Sequence, residues 1–197
     1  MGIKNNINIT FPDGNKREFE KGITGYQIAE SIAKSLAKEA IAINIDGIQK
    51  DLCDQIDSDS SISIITINTD EGLDIMRHTL TAQVLAKAVK TLYPEAKLAI
   101  GPTIEHGFYY DVLFEKPISS EDLPKIEKEM NKIISSKSSI TKRIASKKDA
   151  LKVFKSLEEP YKQTIINESD QKDNFQLYYQ DQDSFVDLCK GPHLPNL

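Results

Sequence analysis

Between Leu73 and Leu92 the apolar residues Ile75, Met76, Leu80, Val84, Leu85, Ala88, Val89 and Leu92 recur at helical spacing. Tyr93-Pro94 ends the run, because proline disfavours the α region in the residue before it. Just ahead of the run stands the polar break Thr69-Asp70-Glu71-Gly72. Whatever precedes that break must already be a finished unit. The pattern therefore predicts two domains, residues 1–68 and 69–197, meeting near Gly72.

Residues 1–67 read as a small mixed unit. Asn8-Ile9-Thr10-Phe11 is a short strand, Pro12-Asp13-Gly14-Asn15 supplies turn residues, and residues 16–19 return. Thr24 is placed to cap a helix, with Gln27 three residues on as in a capping box. Ile28, Ala29, Ile32, Ala33 and Leu36 then fall on one helical face. Residues 40–45 and 61–67 are strand-like, and Asp46-Gly47 is a hairpin turn. Two strands, a helix and further strands is the order of a β-grasp, so the fold class expected is α+β. Nothing here looks catalytic, and Cys53, in a polar loop, is read as incidental.

In the second domain, residues 97–104 and 105–112 read as strand, Gly-Pro turn and strand, with Phe108 and Tyr110 on one face and Tyr109 on the other. Residues 121–135 form a helix capped by Ser119 or Ser120, and residues 147–157 a second. Residues 161–166 and 175–180 are candidate strands. Lys142, Arg143, Lys147 and Lys148 make the one concentrated basic run.

A net charge of −5 argues against the whole surface serving as a nucleic-acid footprint. Two cysteines far apart in sequence make no disulfide framework. No apolar run approaches the ~18 residues of a membrane span, and the start of the chain lacks a signal-peptide pattern. A cytoplasmic setting away from membranes is the expectation.

The densest chemistry lies near the C-terminus, in Val186-Asp187-Leu188-Cys189-Lys190-Gly191-Pro192-His193. A strand end running into a Gly-Pro turn can aim a thiol and an imidazole at the same space. Cys189 and His193 are thus expected on one wall of a cleft, with the long helix and its polar positions His78 and Gln83 opposite. Alone, Cys-x-x-x-His is a weak signal and is often incidental. A lone histidine on a helix, as His78 is, is likewise more often an exposed polar residue than a catalytic one.

Longer stretches decide the matter. Residues 1–67 resemble a TGS domain, the ubiquitin-like module of threonyl-tRNA synthetases. IMRHTLTAQVLAKAVKTLYPEAKLAIGPTIEHGFYYDV (residues 75–112) and FVDLCKGPHLPN (residues 185–196) resemble the signature stretches of that family's editing domain. The resemblance covers nearly the whole chain. It implies hydrolysis of serine wrongly attached to the threonine tRNA, with the acceptor end of that tRNA as partner. It also implies that the ligase core, with its ATP and zinc, lies outside this stretch, which needs no cofactor of its own. The rest of the synthetase, as a homodimer, would be the other partner. Carried over by position, it implies His78, Lys162, Asp187, Cys189 and His193 as catalytic residues. Tyr110, Gln83 and Thr79 would contact substrate.

One departure stands out. The family helix carries His-x-x-x-His, two residues on one face. Here five residues separate His78 from Gln83, a rotation of about 140° on a regular helix. Either Thr79 and Gln83 take the two histidine positions, or His78 takes the first and the helix accommodates an extra residue as a π-type bulge near Leu80–Ala82. In both cases the second histidine is replaced by glutamine, which cannot take up a proton near pH 7.

Hydrolysis of an aminoacyl ester needs an activated water, a stabilised oxyanion and a protonated leaving hydroxyl. Histidine, lysine and aspartate suit the water, the oxyanion and the α-ammonium of the substrate. Cys189 is read as shaping the pocket rather than as the nucleophile. Serine and threonine differ by one methyl, worth about 1–3 kcal/mol of discrimination, so a second sieve is needed. Two other readings stay open: a non-catalytic tRNA-contacting module with a degenerate site, and a zinc-binding domain using His78, Cys189 and His193.

Overall fold

A computed structural model describes residues 6–181 and 183–197. The chain forms two compact units, one running to Met76 and joined by Gly191–Pro195, the other made of Arg77–Lys190 with Asn196–Leu197. The division falls inside a helix, a little beyond the polar break at residues 69–72.

The first unit contains β1 (Asn6–Thr10), β2 (Lys16–Glu20), β3 (Ile23–Thr24), α1 (Gly25–Ile32), α2 (Lys34–Glu39), β4 (Ala40–Ile45), β5 (Ile48–Asp51), β6 (Gln55–Ile56) and β7 (Ser60–Thr66). Its main sheet has the order β2-β1-β7-β4-β5. β1 and β7 are parallel at its centre, and the outer pairs are antiparallel. This is the β-grasp arrangement. The capping box forms as the sequence predicts: Gln27 N–H donates to Thr24 Oγ1 and Thr24 N–H to Gln27 Oε1. The expected single helical face is cut at Ala33, whose extended backbone separates α1 from α2. Asp46 and Gly47 both take positive φ, 50° and 85°, as a two-residue hairpin turn between right-twisted strands requires. Ile9, Ile28, Ala29 and Ile43 are fully buried at the centre of the core.

α3 (Asp70–Thr79) opens where Thr69 Oγ1 accepts from Gly72 N–H at 3.0 Å. A Cβ on Gly72 would stand 2.0 Å from the Thr66 carbonyl oxygen, so only glycine fits. Ile75 packs with Ile41, Ala42 and Ile65, and Leu194 covers them.

In the second unit the helix continues through a π turn (Leu80–Leu85) into α4 (Ala86–Leu92). The expected strand–turn–strand resolves into two short antiparallel ladders: β8 (Lys97–Leu98) with β11 (Val112–Leu113), and β9 (Thr103–Ile104) with β10 (Gly107–Phe108). α5 (Leu123–Ser135) begins two residues later than expected; its N-cap is Asp122, whose carboxylate accepts from Ser119, where the sequence suggested a serine cap. There follow β12 (Ile140–Ala145), α6 (Lys147–Ser156), α7 (Pro160–Glu168), β13 (Phe175–Gln180) and β14 (Phe185–Leu188), the strands pairing in the order β12-β13-β14.

One reading needs correction. Residues 161–166, expected as a strand, belong to helix α7, which Pro160 starts with a backbone φ already set for a helix. The basic run is split between β12 and the first turn of α6. Arg143 forms a two-point ion pair with Asp183, 2.6 and 2.9 Å, and lies over the Tyr179 ring.

Candidate active site

The π turn is where the extra residue goes. Ala86 N–H reaches back five residues to the Thr81 carbonyl, and Thr81 Oγ1 donates to the Arg77 carbonyl at 2.8 Å. With the added residue absorbed in this way, the residues N-terminal to the turn keep their facing. His78 Nε2 lies 2.8 Å from Cys189 Sγ, and both side chains are half-buried. Cys189 is set by the strand before it: its N–H donates to the Gln176 carbonyl, extending the β13–β14 pairing by one residue.

Two residues earlier, Asp187 is buried on β14. Its Oδ1 meets Lys162 Nζ at 2.7 Å and accepts from Leu188 N–H at 2.8 Å, while Oδ2 accepts from Tyr110 Oη at 3.2 Å. Lys162 also donates to Tyr110 Oη at 3.1 Å. The three groups close a triangle in which the phenol both donates and accepts. Burial, and then the Asp187 carboxylate beside it, pushes the Tyr110 phenol far above its usual range. Tyr110 is thus a neutral hydrogen-bond donor throughout the physiological range.

Gln83, expected to meet substrate, lies inside the fold. It is fully buried, and its Oε1 accepts from Gln180 Nε2 at 3.0 Å. Thr79, given the same role from sequence, is also buried, at 1% exposure. His193 belongs to the first unit, where it is buried and its backbone N–H donates to Asp51 Oδ1 at 3.0 Å.

Three contributors escaped the sequence reading. Gly101 lets the Tyr110 ring pack on the π turn: a Cβ there would stand 2.4 Å from Tyr110 Cδ2 and 2.6 Å from Thr81 Cγ2. Glu159, buried at the start of α7, accepts from Leu98 N–H at 2.9 Å and pairs with Lys90 at 2.8 Å, tying α7 and therefore Lys162 to the helix and β8. Gln180 donates to the Gln83 carbonyl at 2.7 Å as well as to its side chain. A Gly-Pro dipeptide before an aromatic strand was the available signal for Gly101; the two polar residues carry no local pattern. A cavity of about 150 Å³ reaches the Lys162–Asp187 pair, bordered also by Lys90, Glu159, Phe154 and Phe185.

The second unit therefore joins an imidazole–thiol pair to a buried ammonium–carboxylate–phenol cluster, drawn from residues 78, 110, 162, 187 and 189. Such a set can orient a water or hydroxyl and offer N–H and O–H donors to developing negative charge.

Comparison with known proteins gives these features a setting. Residues 7–66 match the TGS domain family. A threonine–tRNA ligase of Stenotrophomonas maltophilia is 42% identical over 191 residues, 96% of this chain and 30% of the ligase. One from Caldanaerobacter subterraneus is 46% identical over 95% of the chain and 29% of its own length. A third, from Francisella tularensis, is 44% identical over 96% and 29%. The chain thus spans less than a third of the length of these relatives. Among the described residues no helix is long and apolar enough to cross a membrane. The chain carries a TGS domain of β-grasp fold and, over nearly all of its length, is similar to the N-terminal region of bacterial threonine–tRNA ligases.

Proposed function

We propose that this chain hydrolyses the ester of serine mischarged onto the threonine tRNA, as the editing part of a threonine–tRNA ligase. The observation that carries the reading is the His78–Cys189 contact at 2.8 Å in the same unit as the buried Tyr110–Lys162–Asp187 cluster. In this reading His78 orients and deprotonates the water that attacks the ester carbonyl, and Cys189 holds the imidazole in place. Two of the three Lys162 N–H groups go to Asp187 and Tyr110, and the third faces the oxyanion. Asp187 Oδ2, with one lone pair on Tyr110, has another for the substrate ammonium. The C–O bond to the ribose breaks, the ribose oxygen takes the proton, and free serine and tRNA leave. The TGS domain would contact the same tRNA.

The test is deacylation of Ser-tRNA and Thr-tRNA by this chain, side by side. Rapid loss of serine with threonine largely retained is expected; equal, background rates on both would sink the reading. A second reading, a tRNA-contacting module without activity, is favoured by one observation: Gln83, at the place of a family histidine, is buried and cannot act as a base. Binding of Ser-tRNA without hydrolysis would establish it.

A further inference from the structure

We propose that Gln180 is the positioning residue of this site, the side chain that holds the π turn in register and so keeps His78 directed at Cys189. The inference rests on the editing reading for its activity arm, but its geometry stands by itself. The π turn spaces its hydrogen bonds five residues apart, and the Gln83 carbonyl lies inside it. The side-chain amide of Gln180, 1% exposed and delivered from the end of β13, donates to the Gln83 carbonyl at 2.7 Å. Its orientation is unambiguous. A backbone carbonyl only accepts, so the atom facing it is the NH₂, and Gln180 Oε1 faces the Lys87 ammonium, which only donates, at 3.3 Å. Lys87 is held in turn by Asp181 Oδ2 at 3.0 Å, and that carboxylate also accepts the Ser138 hydroxyl at 2.6 Å. The Ser138 and Lys87 contacts keep the Asp181 carboxyl below its usual range, so this anchor stays charged.

The same amide donates to Gln83 Oε1, which turns the Gln83 NH₂ away from Gln180. Gln83 is thereby fixed as part of the clamp. Without Gln180 the turn can relax to the regular i→i−4 ladder by slipping one residue, which rotates the preceding segment by about 100°. That slip would carry His78 off Cys189.

The test compares four proteins: the unaltered chain, Q180E, the chain lacking Ala82, and Q180E in the chain lacking Ala82. Glutamate keeps the length and the Lys87 contact but cannot donate to the carbonyl. Deleting one residue of the turn restores an ordinary helix and places His78 and the glutamine four apart, so no π register remains for Gln180 to hold. Q180E is expected to lower kcat on Ser-tRNA by about 10²-fold with KM unchanged, as loss of a positioned base does. It should also move the His78 imidazole ¹⁵N resonances at fixed pH to those of a ring without its Cys189 contact. In the deletion background Q180E should change neither. Equal effects in both backgrounds, or an unchanged His78 spectrum in Q180E, would overturn the proposal. If the unaltered chain deacylates nothing, the editing reading fails, while the His78 spectra still decide the role of Gln180.

Discussion

Lys162 Nζ stands 2.7 Å from Asp187 Oδ1, with the two side chains only 5% and 2% exposed. Neither charge has bulk water to fall back on, so each depends on the other and on Tyr110. Removing one member of such a pair costs about 3–5 kcal/mol, because the survivor is left charged and buried. K162M and D187L are each expected to lower the urea midpoint strongly, and K162M/D187L to cost much less than the two singles added. Strict additivity in that cycle would show that the pair is not coupled.

The phenol of Tyr110 gives a pH dependence with a definite sign. Its ionisation is pushed up in the folded chain by burial and by Asp187, whereas in the unfolded chain it ionises near the ordinary value of about 10. A raised folded value means the contribution is complete below about pH 10 and is lost as the pH rises beyond it. Stability should therefore fall above about pH 10 more steeply for the unaltered chain than for Y110F. Chemical denaturation at a series of alkaline pH values reads this directly. Parallel profiles for the two proteins would contradict it.

The parts of the fold that the sequence reveals are those set by neighbours in the chain. Thr24 and Gln27 cap a helix, Asp46-Gly47 turns a hairpin, and the one-residue surplus between His78 and Gln83 shows itself as a π turn. Residues 161–166 misled because Ile165 and Ile166 are β-branched, while the deciding residue, Pro160, lies outside the window. β12 was hidden by its basic residues: Arg143 is accommodated by Asp183 and the Tyr179 ring, contacts 36–40 positions away. Within the site, Asp187 and Cys189 were legible because a carboxylate, a thiol and an imidazole crowd into residues 187–193 and their stretch resembles a family signature. Gln180 was not, since its partners Gln83 and Lys87 come from a helix more than 90 residues earlier.

Gly101 is the narrowest point in the site. Alanine there would force its methyl into the Tyr110 ring and the Thr81 methyl, at 2.4 and 2.6 Å. Overpacking of this kind costs about 1–3 kcal/mol when neighbours can shift. G101A should lower the melting temperature, and deacylation should fall with it as Tyr110 moves from Asp187. G47A offers the contrast, since its added methyl meets nothing within 4 Å and its only penalty is a positive φ. That variant should keep its deacylation rate; a rate unaffected in G101A as well would mean that Tyr110 has no part in the reaction.

The last prediction separates the two partners of the 2.8 Å His78–Cys189 contact. If His78 handles the proton of the attacking water, H78A removes the base and Ser-tRNA deacylation should fall by about 10²-fold or more. If Cys189 only holds the imidazole, C189A leaves the base present but less well oriented, so its loss should be far smaller than that of H78A. A nucleophilic thiol would reverse this order, because the thioester step would vanish with the sulfur. Single-turnover reactions quenched in acid distinguish the cases independently of rate. With water as the nucleophile, no labelled serine stays attached to the protein at any time. A transient serine–Cys189 thioester would instead make the thiol the attacking group and His78 its base.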